Sequence, residues 1–285
     1  MFCKLAVIVS LAASSVLAAP PPTITDDDVE QFVRRDADAP PFIRPRAASC
    51  SFPSPPKTSS LSEPMTITGT FDGGNVRFDR GKGACGGQNE GGDADAVFIL
   101  QSGATLQNVV IGADQSEGVH CLGSCTLNNV WFEDVCEDAI TIKQTSGTSN
   151  IIGGGAKNAE DKVVQHNGSG TVKIDSFCVQ DFGKLYRSCG NCKTQYKRSV
   201  LISQIDAKSG KSLAGINSNY GDTAELETSS IKTSGVDSMC DTFEVGDPPP
   251  PVASAKEYGS HDALLQGNDS GAEPKKLTTN EANSL

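Results

Sequence analysis

An all-β solenoid, wound from successive parallel turns, is predicted for the central part of this 285-residue chain on three observations. Short Val, Ile, Leu and Thr runs are separated by Gly, Asn and Ser with no sustained helical period. Twenty-nine glycines supply tight turns between them. The runs also recur at intervals of 21 to 28 residues, which is the period range of repeat architectures.

The recurrence is explicit. Thr105-Leu106-Gln107-Asn108-Val109-Val110-Ile111 returns as Thr126-Leu127-Asn128-Asn129-Val130-Trp131-Phe132, then as Thr148-Ser149-Asn150-Ile151-Ile152. Looser echoes follow at residues 173–177, 201–205 and 227–231. Asn108, Asn129, Asn150, Ser176, Gln204 and Ser230 then mark one position in each turn, at spacings of 21, 21, 26, 28 and 26. The leucine pattern of leucine-rich repeats is missing, and propeller blades need about 40 residues each. A β-sandwich accounts for the short strands but not for their period. A parallel β-helix with stacked Asn side chains inside accounts for both.

The ends bound this domain. Residues 1–18 read as an export signal, with a short basic start, an apolar stretch from Leu5 to Leu17 and a small-residue cleavage site at Val16-Leu17-Ala18. That stretch is too short and too rich in serine to span a membrane. Residues 19–47 read as a propeptide or disordered leader carrying a dibasic Arg34-Arg35, and residues 247–285 as a Pro-rich linker and tail. Residues 48–246 form the one domain. Of ten cysteines, nine lie beyond the signal, and an exported protein should hold most of them in disulfides. An odd number leaves one thiol free or paired between chains. Asn167-Gly168-Ser169 and Asn268-Asp269-Ser270 are glycosylation sequons. A net charge of −11 argues against a nucleic-acid partner.

Residues at matching places in successive turns stack about 4.8 Å apart. Glu117 follows Asn108 by nine residues and Asp138 follows Asn129 by nine, while Lys162 and Arg187 follow Asn150 and Ser176 by twelve and eleven. The four should therefore form one column, with Asp93 and Asp95 on the turn below Glu117. Stacked carboxylates repel one another unless a cation lies between them, and an all-oxygen set in an extracellular setting favours Ca²⁺. The cationic end suits a substrate bearing carboxylates, such as an acidic polysaccharide whose sugar repeat is close to the rise per turn.

Other chemistry fits less well. Glu137 and Asp138 could be a glycosidase pair, but adjacent residues in an extended strand point to opposite faces. His120, Cys121, Cys125 and the Cys189–Cys192 loop could bind zinc, although an oxidising compartment favours disulfides. His120 and His166 could exchange protons or be structural. Nucleophile-elbow and phosphate-loop contexts are missing.

Several motifs carry a resemblance. Glu117-Gly118-Val119-His120-Cys121, Asn129-Val130-Trp131-Phe132-Glu133-Asp134-Val135, Glu137-Asp138-Ala139, Asp161-Lys162-Val163, Gln165-His166-Asn167-Gly168 and Gly183–Cys192 appear in order. Together they resemble family 3 polysaccharide lyases over residues 73–241. The resemblance implies a right-handed single-stranded parallel β-helix and a secreted pectate lyase. It also implies calcium-dependent β-elimination of polygalacturonate.

It carries over Glu117, Glu137 and Asp138 as calcium ligands, and Lys143, Lys162 and Arg187 as basic groups. Lys184 joins Lys143 and Arg187 as a substrate-binding candidate. Lys162 is the preferred base, with Arg187 the alternative and first assigned to a substrate carboxylate. A monomer suffices. The family often has Asp where Glu117 stands and Gly where Cys136 stands, so Cys136 is the leading candidate for an atypical disulfide or the unpaired thiol. A polygalacturonase-type hydrolase and a non-catalytic pectin-binding β-helix are the rival readings.

Overall fold

The computed structural model of the protein describes residues 48–245, together with the backbone of the short strands Cys3–Leu5 and Lys256–Gly259. Apart from Cys3–Leu5 and Lys256–Gly259, the export signal, the leader and the tail lie outside the described residues, as does the Asn268 sequon.

Each turn of the solenoid has three faces and two sharp corners. The first face is stacked from Thr105–Gln107, Thr126–Asn128, Asn150–Ile152 and Lys173–Asp175, then 201–203 and 225–226, all paired in parallel. Alternate residues of this face point inward, so Leu106, Leu127, Ile151, Ile174, Ile202 and Leu226 lie one above another with almost no exposure. A second inward ladder runs Val119, Ile140, Val164, Tyr186, Ala214 and Cys240 on the face that carries the candidate site. Near the N-terminal end, Phe71, Phe78 and Phe98 pack ring against ring. No α-helix occurs among the described residues; three single-turn 3₁₀ segments stand at Asp93–Asp95, Ser218–Tyr220 and Thr228–Ser230.

Positive φ at the corners shows why the sequence repeats as it does. Asn108, Asn129, Gly153, Ser176 and Gln204 share the first corner with φ between 52° and 64°. Asn158, Asp181, Ser209 and Gly235 share the second, with φ between 55° and 65°. Asn tolerates this left-handed conformation better than most residues. Asn129 Nδ2 donates to Asn108 Oδ1 at 2.8 Å, and Asn108 Nδ2 donates to Asp72 Oδ2 at 2.9 Å, so the amides do stack.

Two details of the predicted ladder change. The amides are half-buried at a corner rather than inside the coil. Asn150 is not among them: it pairs with Thr126 and Lys173, three residues before the corner, and Gly153 occupies the ladder position. The next residue must also be glycine, since a Cβ on Gly154 would lie 2.0 Å from the Val130 carbonyl oxygen.

Disulfides join Cys50–Cys178, Cys85–Cys136, Cys121–Cys125 and Cys189–Cys192, and Cys240 is also disulfide-bonded. The expected unpaired thiol is not found among the described residues. Cys136 instead forms the atypical disulfide, with Cys85.

Candidate active site

Parallel pairing on the face of the Val119, Ile140 and Val164 ladder fixes the order of the column. Ala96 lies beside Glu117, Glu117 beside Asp138, Asp138 beside Lys162 and Lys162 beside Lys184. Nine residues separate each of Asn108, Asn129 and Gly153 from Glu117, Asp138 and Lys162. The arm from corner to face is thus constant once Gly153 replaces Asn150. The following arm is one residue shorter, so Lys184 takes the next rung. Arg187 lies three residues farther along the strand, in the column of His120, Thr141 and Gln165 beyond the inward ladder. The expectation that Arg187 continues the carboxylate column is corrected on that register.

The carboxylates are deeply buried, at 2 % exposure for Glu117, 4 % for Glu137 and 1 % for Asp138. Lys162 Nζ lies 3.3 Å from Glu137 Oε1, 3.4 Å from Asp138 Oδ1 and 2.7 Å from Asp161 Oδ2. Glu137 and Asp138 converge despite being adjacent because Glu137 precedes the strand Asp138–Ile142, where side-chain alternation does not yet apply. Glu137 Oε2 and Asp138 Oδ1 are buried without a hydrogen-bond partner. Burial pushes the Asp138 carboxyl up to about 9, Lys162 opposes that rise and Glu137 adds to it. Burial alone would lower the Lys162 pKa, but Asp138, Asp161 and Glu137 outweigh it and raise it.

Around this centre the other candidates are spread over both flanks. Glu117 Oε1 accepts from the Gly91 N–H at 2.9 Å, and Glu117 Oε2 lies 3.1 Å from His120 Nε2. His120 Nδ1 faces Asp93 Oδ1 at 2.7 Å, and Lys143 Nζ donates to the same oxygen at 2.6 Å. Asp93 is therefore engaged as an ion-pair partner on the turn below, while Asp95 Oδ2 accepts from the Gly92 N–H at 2.8 Å. Neither is brought into contact with the Glu137–Asp138 pair, and no ready-made group of three or more ligand side chains occurs among the described residues. The oxygens open to a cation are those of Glu137 and Asp138, with Glu117 on the adjoining rung. Hard carboxyl oxygens, two of them buried without a hydrogen-bond partner, fit an oxygen-seeking divalent ion.

On the cationic flank, Asp161 Oδ1 lies 3.8 Å from Lys184 Nζ, so one carboxylate spaces Lys162 and Lys184. Burial would raise the Asp161 pKa, yet the two lysines hold it below the usual range. Arg187 is buried, stacks 4.0 Å over the Phe243 ring and donates from Nη1 to Asn217 Oδ1 at 2.8 Å. Burial lowers its pKa to about 10. Gly215 and Gly190 leave room for it: a Cβ on either would lie 2.9 Å from an Arg187 side-chain atom.

Sequence reasoning misses Asp161 as a spacer, Asn217 as the support of Arg187, and Glu90. Burial first, then Glu137 and Glu117, raise the Glu90 pKa, which puts a further acid beside the cluster. Periodicity cannot find Glu90, since its loop lies outside the repeat. The Asp161-Lys162 motif is the one signal that points to the Asp161 contact.

The sequence model of the family described as pectate lyase matches residues 49–247. Pectate lyase E of Emericella nidulans is 62 % identical over 183 residues, covering 64 % of this chain and 72 % of the relative. A probable pectate lyase D of Aspergillus fumigatus is 50 % identical over 236 residues, covering 81 % and 88 %. Among solved structures, the catalytic domain of pectate lyase PelI from Erwinia chrysanthemi matches with a TM-score of 0.56 at 31 % identity, over 72 % of this chain and 91 % of that one. PelI in complex with tetragalacturonic acid matches with a TM-score of 0.55 at 32 % identity, over 68 % and 63 %.

Proposed function

The chain belongs to the pectate lyase family and is a lyase, and from that premise we propose a secreted, calcium-dependent enzyme that cleaves polygalacturonate by β-elimination. The observation that carries the calcium reading is a pair of buried oxygens that accept no hydrogen bond, Glu137 Oε2 and Asp138 Oδ1, the second lying 3.4 Å from the Lys162 ammonium. Glu137, Asp138 and Glu117 would hold the ion. Bound there, Ca²⁺ would neutralise a galacturonate carboxylate and stabilise the enolate-like charge that develops beside it. Asp93 and Asp95 are left outside the ligand set because neither is brought into contact with the Glu137–Asp138 pair, whereas Glu117 stands beside Asp138 on the adjoining rung.

Lys162 takes the proton from C5 of the galacturonate. The C4–O bond then breaks, the electron pair of the C–H bond forms the C4=C5 double bond, and the leaving oxygen takes a proton from water, while Lys162 returns its own to solvent. With Glu137 and Asp138 engaged elsewhere, Lys162 is released from two of its three carboxylates, and burial then favours its neutral amine. Arg187 is already held by Asn217 and Phe243, which suits a fixed guanidinium that grips a carboxylate. Lys143 and Lys184, both half-buried and spaced by Asp93 and Asp161, bind neighbouring sugars. Polygalacturonate as substrate is supported by the tetragalacturonic acid complex of the related PelI. Secretion is supported by the N-terminal export pattern and the disulfides. Among the described residues no helix is long and apolar enough to cross a membrane. The single chain carries every proposed group, which supports a monomer.

Absorbance of the unsaturated product on polygalacturonate, with calcium and with a chelator, tests the whole reading. Calcium-dependent absorbance is expected. New reducing ends without absorbance would indicate a hydrolase, and binding without either product a non-catalytic β-helix.

A further inference from the structure

Residues 81–92 leave the solenoid as a loop without regular secondary structure and return over the acidic end of the site. Its base is fixed by Arg80, which donates from Nε to the Leu61 carbonyl at 3.0 Å and from Nη1 to those of Ala94 and Ala96 at 2.7 Å. Midway, Cys85 is bonded to Cys136, and Gln88 Nε2 donates to the Cys136 carbonyl. Cys136 immediately precedes Glu137 and Asp138. Toward the end of the loop, the Gly91 N–H donates to Glu117 Oε1. One loop is thus tied to both rungs that carry the acidic residues.

Gly91 fits Glu117 closely. A Cβ at Gly91 would lie 2.7 Å from Glu117 Cγ and 2.9 Å from Oε1. Glu117 has little room to move aside, being 2 % exposed and held on its other oxygen by His120. The longer arm of Glu117 therefore occupies the space that a side chain at position 91 would need. Its orientation is set between a backbone N–H on the loop and an imidazole on its own strand.

We infer that the loop 81–92 is a clamp, anchored by the Cys85–Cys136 disulfide, whose Gly91 is a positioning residue aiming Glu117 at the cation held by Glu137 and Asp138. The inference rests on the calcium reading given above. Fixing a carboxylate with an outer hydrogen bond saves the reorganisation it would otherwise undergo on binding, and loss of such partners commonly weakens metal affinity by about 10- to 100-fold. The Cys85–Cys136 bond serves the same end from the other side by keeping the loop against the turn that bears Glu137.

Calorimetric titration with Ca²⁺, and folding monitored by circular dichroism, test this on purified protein. Gly91→Ala and the Cys85→Ala/Cys136→Ala pair are compared with wild type, and each is repeated in a Glu117→Ala background. Each change is expected to weaken Ca²⁺ binding about tenfold or more with Glu117 present. The loss should fall below about threefold once Glu117 is gone, because the clamp acts through that residue. Unchanged affinity in the folded variants, or equal losses in both backgrounds, overturns the clamp. The two clamp variants are independent, so either one that folds is sufficient to decide between these outcomes. Wild-type protein that binds no Ca²⁺ overturns the calcium reading itself, and is distinguished by failing before any variant is compared.

Discussion

Asn217 Oδ1 accepts a hydrogen bond from Arg187 Nη1 at 2.8 Å, and the Nδ2 of the same amide donates to the Cys189 carbonyl at 2.8 Å. The Asn217 backbone N–H donates to Asp222 Oδ2 at 3.0 Å, and Asp222 Oδ1 accepts from the Arg198 N–H at 2.8 Å. The guanidinium is thus braced from below by a chain of buried groups. Asn217→Ala removes the acceptor and leaves a buried charge short of a partner, at a cost of about 1–3 kcal/mol. Catalytic efficiency on polygalacturonate is expected to fall roughly 10- to 100-fold, with the fold retained by circular dichroism. Unchanged kcat/KM would show that Arg187 needs no such brace.

Lys162 has the opposite surroundings, with three carboxylates around its ammonium. Its replacement by alanine should cut turnover by at least about 10²- to 10⁴-fold, the usual contribution of a proton-transferring group. Binding of oligogalacturonate, measured by calorimetry, should survive because Lys143, Lys184 and Arg187 remain. Near-normal turnover in Lys162→Ala would transfer the base role to Arg187.

How much of this is legible in the sequence depends on whether the repeat reaches the residue in question. Glu117, Asp138 and Lys162 lie at a fixed arm of nine residues from a corner, so their alignment can be counted. Counting from Asn150 misplaces the third corner, because the backbone there demands only a positive φ, and Gly153 meets that demand as well as an amide does. Counting also puts Arg187 on the Lys162 column, whereas the shorter arm there brings Lys184 to that rung and leaves Arg187 three residues farther along the strand. The pairing of Cys136 with Cys85, the Gly91 contact and Glu90 all arise from a loop that interrupts the period. Nothing in the spacing reveals where that loop returns.

His166 provides a pH test that does not involve the cation site. It is fully buried, its Nδ1 accepts from the Tyr186 hydroxyl at 2.8 Å and its Nε2 faces the Ser169 carbonyl at 3.3 Å. Burial first, and the Arg198 charge second, lower its pKa to about 3 from an ordinary 6.5. The unfolded chain therefore takes up a proton below pH 6.5 that the folded protein refuses. Stability from this residue is complete above pH 6.5 and declines as pH falls toward 3, by roughly 1.4 kcal/mol per pH unit. Urea unfolding at about pH 6.5 and about pH 4.5 should differ by about 2–3 kcal/mol more in wild type than in His166→Gln, even if the variant is less stable at both. An identical pH dependence would mean that His166 accepts the proton in place.

The disulfides should differ in worth according to the chain they close. Cys50 and Cys178 are 128 residues apart, whereas Cys121 and Cys125 are four apart. If the bonds act by restricting the unfolded chain, the long closure contributes about 5 kcal/mol and the short one roughly 2 kcal/mol. The long bridge also holds the N-terminal segment against the outer face. There Phe52 meets the Trp131 ring at 4.8 Å between centroids, and Lys157 Nζ lies 3.8 Å from the Phe52 ring centre. Cys50→Ala/Cys178→Ala should therefore lose more stability than Cys121→Ala/Cys125→Ala, by about 2–3 kcal/mol, or roughly 4–12 °C in Tm for a domain of this size. Calorimetric melting of the two variants measures the difference directly. Equal losses would mean that packing around Cys121 and Cys125, both fully buried or nearly so, outweighs loop length in this solenoid.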